Sequence, residues 1–187
     1  MNKIVVTAHC DVVWKAASIR VADGKYSGNL DNLVALSAMV SALPDLDPRI
    51  VFYSTTDEED GMGGAKHVMK TEGRAIYVAI DATDAAVDSD VSVEWMQNLN
   101  EKELRKALAQ IKGARIGFGK SDFDETHVYG KKHPTFSICL PIRGEMHGES
   151  SVSVSKVKRF GRIVNKILNK VLENYDEISK DLQKEKV

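Results

Sequence analysis

Cysteine is scarce in this sequence. The 187 residues contain two, Cys10 and Cys139, too few for a disulfide framework and consistent with a reducing compartment. No apolar run approaches the ~20 residues that cross a bilayer. The opening Met1-Asn2-Lys3-Ile4-Val5-Val6 lacks the longer apolar stretch and small-residue cleavage site of a secretory signal. The chain is therefore expected in the cytoplasm, without membrane contact. An excess of one charge is missing too. The formal net charge is −1, which removes the electrostatic footprint of a nucleic-acid or acidic-membrane binder. There is no internal repeat and no low-complexity tract. No glycine-rich phosphate loop follows the first strand-like run, and acids crowd where phosphate would sit, which argues against a nucleotide-binding module.

What is present is ordinary in bulk: 43% hydrophobic and 28% charged residues, enough for one compact domain over 1–187. Apolar runs at Lys3–Ala8, Ile50–Ser54, Ala75–Ile80 and Thr135–Leu140 predict strands, with a brief strand at Arg115–Phe118 and a short edge strand at Val91–Val93. Residues 12–27 predict a loop or hairpin. Helical spacing marks Leu30–Leu43, stopped by Pro44 and Pro48, then Gly64–Thr71, Glu101–Ile111 and a long amphipathic helix from Ser155 with a charged tail. A short helix capped by Ser121 is expected in the polar stretch holding Asp122, Asp124 and Glu125. Strands alternating with helices predict an α/β fold: a three-layer α/β/α sandwich around a largely parallel, mixed sheet.

Acids and histidines collect at the predicted strand ends. His9 and Asp11 close the first strand, Asp31 opens the first helix, Glu58 and Glu59 follow the second strand, Asp81 ends the third and His147 follows the last. Ligand sites in open α/β sheets lie outside the carboxyl ends of strands, and histidine with carboxylate suits zinc or a similar divalent ion. Two histidines and several carboxylates exceed one tetrahedral site. A pair of metals ~3.5–4 Å apart sharing a carboxylate would use them all. His9 and Asp11, two apart on a strand, would face one way, with Asp11 orienting the ring nitrogen that binds no metal. Cys10 would point to the other face as a small buried hydrophobe.

These residues carry a resemblance. His9-Cys10-Asp11, Gly28-Asn29-Leu30-Asp31-Asn32, Glu58-Glu59-Asp60-Gly61, Ile80-Asp81 and Met146-His147 resemble, in order, the motifs of the di-zinc exopeptidase superfamily, which holds co-catalytic zinc aminopeptidases, carboxypeptidases and deacylases. The resemblance implies that Asp31 bridges two zinc ions, that His9 and Asp81 complete one and Glu59 and His147 the other. It implies Glu58 as general base and Asp11 as the partner of His9. Cobalt or manganese would suit the same ligands. The substrate would be a peptide or an N-acyl amino acid. Arg143 is a candidate for a substrate carboxylate, and His127 and His133 are weaker candidates for substrate contact. Ser121-Asp122 is similar to a further family motif, with Phe123 in place of the expected small residue. Relatives have elements before the His-x-Asp strand and inserted lid or dimerisation domains. Here the region 84–120 is where such an insert would be missing, leaving a minimal catalytic core with an open site unless homo-oligomerisation covers it. The expected activity is metal-dependent hydrolysis of peptide or amide bonds by an aminopeptidase. A carboxypeptidase, a small-molecule deacylase, or a non-catalytic metal-binding or interaction domain derived from such an enzyme are the alternatives.

Overall fold

The computed structural model describes residues 2–12, 19–119 and 124–180. Its strands, in chain order, are β1 (Ile4–His9), β2 (Arg20–Ala22), β3 (Lys25–Gly28), β4 (Ile50–Thr55), β5 (Ile76–Thr83), β6 (Val91–Gln97), β7 (Ile116–Phe118), β8 (Thr135–Pro141), β9 (Arg143–Gly144) and β10 (Ser150–Ser153). The helices are α1 (Leu33–Ala42), α2 (Gly63–Glu72), α3 (Glu101–Leu108), α4 (Thr126–Tyr129), α5 (Val154–Glu173) and α6 (Tyr175–Ile178).

The main sheet runs β4-β1-β5-β8-β6-β7, parallel from β4 through β8 and antiparallel where β6 meets β8. Its central strands are apolar on both sides because both faces are covered. Along β1, Ile4, Val6 and Ala8 enter the core beneath α1 and α5, while Val5 enters the smaller core formed with α2 and α4. β5 repeats the alternation, with Ile76, Val78 and Ile80 on one side and Tyr77 stacked on Tyr129 on the other. In α5, Val157, Phe160, Val164, Ile167, Leu168 and Val171 recur every three or four residues and are buried, and Ser153 caps the helix by accepting the Lys156 N–H. This is the α/β sandwich with a mixed, mostly parallel sheet that the sequence predicts. Among the described residues no helix is long and apolar enough to cross a membrane.

Three local expectations need correction. β6 is no edge strand: it lies between β8 and β7, and β7 takes the edge. Cys10 is exposed, because β1 ends at His9 and the chain leaves the sheet before the next residue is covered. A second, four-stranded antiparallel sheet, β2-β3-β10-β9, extends the hairpin read in residues 12–27 with two strands, β9 and β10, that the sequence does not predict. Its β2–β3 hairpin turns at Asp23 and Gly24, both with positive φ. Ser121, Asp122 and Phe123, and the charged tail beyond Lys180, lie outside the described residues.

Candidate metal centre

Register puts the carboxyl ends of three neighbouring strands side by side. His9, the last residue of β1, is level with Thr55 of β4, and β1 pairs with β5 up to Thr7 opposite Ala79, two residues before Asp81. Beyond β4 the chain turns tightly: the N–H groups of Gly61, Met62 and Gly63 converge on the Asp57 carbonyl. Gly64 then crosses so close that a Cβ there would stand 2.6 Å from the Thr56 carbonyl oxygen. This turn carries Glu58 and Glu59. Asp31 arrives from the other side, on a cis peptide to Asn32, and the Asn32 side-chain amide donates to the Ile80 carbonyl at 2.6 Å. That bond fastens the chain at Asp31 to the residue before Asp81. His147 sits in the turn between β9 and β10, and β10 is tied back to β3 by the Ser150 hydroxyl donating to Gly28 at 2.9 Å.

The result is one cluster. His9 Nε2 lies 3.3 Å from Asp81 Oδ1 and 3.5 Å from Asp31 Oδ1, while His147 Nε2 lies 3.5 Å from Asp31 Oδ2 and 3.9 Å from Glu59 Oε2. Three donor triads follow among the described residues, each with its donor atoms within 4.8 Å of one another: His9–Asp31–Asp81 and Asp31–Glu59–His147, which share Asp31, and His9–Glu58–Glu59. Asp31 offers one oxygen to each histidine. The other ring nitrogen of His9 faces Asp11, whose carbonyl is at 3.1 Å and carboxylate at 3.6 Å. That carboxylate also accepts the Glu59 N–H at 3.3 Å. Asp11 is not on the strand, so it reaches His9 mainly through its backbone. Glu58 stands beside His9 and Glu59, half-buried.

The electrostatics call for positive charge. Burial pushes the Glu58 carboxyl up to about 8, with Glu59 and Asp31 adding to the rise and His9 opposing it. Burial also raises Glu59 and Asp81, the latter further through Asp31. Burial alone would lower the His9 pKa, yet Asp31 and Asp81 hold its imidazolium well above the usual range. Asp31 Oδ1 and Glu59 Oε1 are buried and accept no hydrogen bond among the described residues. Buried, unsatisfied carboxylate oxygens arranged around imidazole nitrogens are the donor set of a divalent cation. The residues fit such a group.

Two buried acids escaped the sequence reading. Asp124 and Glu125 are each 2% exposed, in a stretch that composition marks as polar surface. Asp124 accepts the Thr126 N–H at 2.7 Å, and burial raises Glu125 while the hydroxyls of Thr7 and Thr55 hold it down. Their signal lay in the strands: Thr7, two before His9, and Thr55 are hydroxyls at the ends of otherwise apolar runs, where a buried polar partner is required. His127 packs edge-on against Trp95 and, with Lys66, Lys131, Met62 and Val128, lines a cavity of about 340 Å³ beside Glu58 and Glu59. His133 packs instead on Tyr77, and His67 is exposed. Arg143 is not brought to the cluster: it is exposed, pairs with Asp88 at 3.0 Å and lines a separate cavity.

Compared with known proteins, residues 1–134 match the family described as peptidase family M28. A curated relative, a probable translation initiation factor IF-2 of Thermococcus sibiricus, is 22% identical over 180 residues, 94% of this chain and 30% of its own length. The TET1 peptidase of Pyrococcus horikoshii, described as assembling into a tetrahedron or a large octahedral shell, aligns with a TM-score of 0.67 at 18% identity over 80% of this chain and 52% of that one. An aminopeptidase of the archaeon Desulfurococcus kamchatkensis gives 0.65 at 16% identity, covering 89% and 55%. Yeast aminopeptidase 1 gives 0.61 at 12%, covering 82% and 48%. The chain spans about half the length of these solved structures, and the likeness at such identities is one of fold.

Proposed function

The chain belongs to peptidase family M28, whose members are metal-dependent peptidases, and on that premise we propose that it hydrolyses peptide or amide bonds as an aminopeptidase with two divalent cations. The observation that carries this reading is the pair of donor triads sharing Asp31. His9, Asp31 and Asp81 would hold one cation and Asp31, Glu59 and His147 the other, with zinc the expected ion and cobalt or manganese also suited. When bound, the pair supplies Lewis acidity, acidifying water and polarising the scissile carbonyl.

The remaining work falls to the chain. Glu58, outside the two triads that share Asp31 and within reach of His9 and Glu59, takes the proton of the attacking water and returns it to the leaving amine. Positive charge beside Glu58 lowers its raised pKa and so supplies the ionised form that a base requires. Asp11 fixes the His9 ring with Nε2 directed at the two aspartates. The cavity beside Glu58 is the natural seat for a residue flanking the scissile bond. The aminopeptidases among the solved relatives favour a peptide N-terminus over an N-acyl amino acid as substrate. The assembly described for the TET1 peptidase favours a homo-oligomer here as well.

The test combines elemental analysis with hydrolysis. Protein purified without chelator should carry close to two divalent ions per chain and cleave aminoacyl chromogenic substrates. Glu58→Gln should keep its metal and lose about 10²–10⁴-fold in rate. A chain that binds no metal after exposure to zinc, cobalt or manganese, or a Glu58→Gln protein of undiminished activity, would overturn the proposal.

A further inference from the structure

A second cavity, opposite in charge to the metal cluster, lies where α5 leaves β10. It measures about 470 Å³ and is walled by Lys25, Arg115, Arg143, Lys156 and Arg159, with Asp88 and Asp90 the acids in its lining. Five cations against two carboxylates leave a formal excess of three positive charges, and none of the cluster's ligands contributes to the wall. In a protein whose net charge is −1, that concentration is local and not a consequence of composition.

The two acids do not neutralise it equally. Asp90 is buried and committed, accepting the Arg115 N–H at 2.7 Å and standing 3.2 Å from the Arg159 guanidinium. Asp88 pairs with Arg143 at 3.0 Å, but their side chains are 87% and 70% exposed, so this pair is weak and open to displacement. Lys156 is half-buried and donates to the neutral Val87 carbonyl at 3.0 Å. Burial, with Arg115 and Arg143 nearby, lowers its pKa. Lys25 makes no ion pair among the described residues. Ser153 and Ser151, set opposite Lys25 and Arg143 in the second sheet, add hydroxyls to the same wall. The start of α5 adds little, since the Val154 N–H donates to Gly24 and the Lys156 N–H to Ser153. The site rests on side chains.

We propose that this cavity binds a phosphate-class anion, free phosphate or a small phosphate monoester, gripped by Arg143 and Lys156. Guanidinium forks match the oxygens of phosphate in pairs, and hydroxyls and a desolvated ammonium complete its shell. The volume is that of an ordinary small-molecule pocket and leaves room for the organic part of an ester. Arg143, read from the sequence as a ligand for a substrate carboxylate, serves this cavity instead. The proposal does not depend on the peptidase reading.

Calorimetric titration of the full chain with inorganic phosphate and with a nucleoside 5′-monophosphate, in chloride buffer, tests it. One site per chain is expected, weakening as salt rises. Arg143→Gln and Lys156→Gln should each lower affinity by roughly tenfold, the scale of a charge-assisted contact. Asp88→Asn, which removes the competitor for Arg143, should raise it. Stronger binding of the monophosphate identifies an ester as the preferred form, and equal binding identifies the phosphate group alone. No heat from either probe would overturn the proposal. So would binding that survives both substitutions, because the anion would then sit elsewhere, for example at the metal cluster.

Discussion

Asp31 is the residue on which the cluster turns, because its two oxygens face different histidines. Replacing it should therefore cost more than replacing a ligand of one triad. Elemental analysis of purified variants should find His147→Ala with about half the metal of the parent and Asp31→Ala with still less, as expected if one carboxylate serves both ions. Equal losses would remove the shared role. Asp11 touches no triad donor except the ring it orients and the Glu59 N–H it accepts. Because the nearer contact to His9 is the Asp11 carbonyl, which Asp11→Asn keeps, that substitution should weaken metal retention in a chelator competition by less than the roughly 10–100-fold typical of partners of metal-binding histidines; a loss within that range would give the carboxylate the orienting role. At this scale the sequence was readable where acids follow apolar strands. It was unreadable where acids precede a four-residue helix, as Asp124 and Glu125 do, because Glu125 meets the hydroxyls of Thr7 and Thr55 and Asp124 that of Ser137, residues distant in the chain.

At the scale of elements, the long central strands and helices were legible because their apolar spacing is a direct consequence of being covered. The second sheet was legible only as the loop or hairpin of residues 12–27. Its strands are two to four residues long and rich in serine and glycine, too short to show alternation, and they exist only because β3 and β10 meet from opposite ends of the chain. The packing of α1 on α5 has a comparable hidden condition. A Cβ at Gly161, inside α5, would stand 2.5 Å from the Ala38 carbonyl oxygen of α1. In an exposed helix, glycine to alanine gains about 1 kcal/mol; here overpacking should cost about 1–3 kcal/mol. Urea unfolding of Gly161→Ala should show a net loss of stability. A gain would mean that the helices separate without cost.

For the molecule as a whole, one network fastens the start of β1 and the edge strand β4 to α2. The Lys3 ammonium lies 2.8 Å from both a carboxylate oxygen and the backbone carbonyl of Glu72, and the Tyr53 hydroxyl donates to the same carboxylate. Lys3 first, then Tyr53, holds the Glu72 carboxyl below its ordinary value. A depressed carboxylate contributes stability above its unfolded pKa, about 4.3, and loses that contribution as pH falls through the folded value. Glu72→Gln should thus unfold at a lower temperature than the parent at pH 7, with the gap closing as the medium is acidified below about 4. A gap of constant size across that range would show that the network's ionisation is irrelevant to stability.

The tie between Ser150 and Gly28 joins residues 122 positions apart, and this gives the cluster an order of assembly. His9, Asp31, Glu58, Glu59 and Asp81 all lie in the first 81 residues, within a run that already contains the contiguous strands β4-β1-β5 and the helices α1 and α2. Only His147 arrives later. On a ribosome the residues of the first triad emerge while the second still lacks its histidine, and under the proposed two-cation reading loading would be sequential in time, with the His147 side completed last by a long-range closure of the chain.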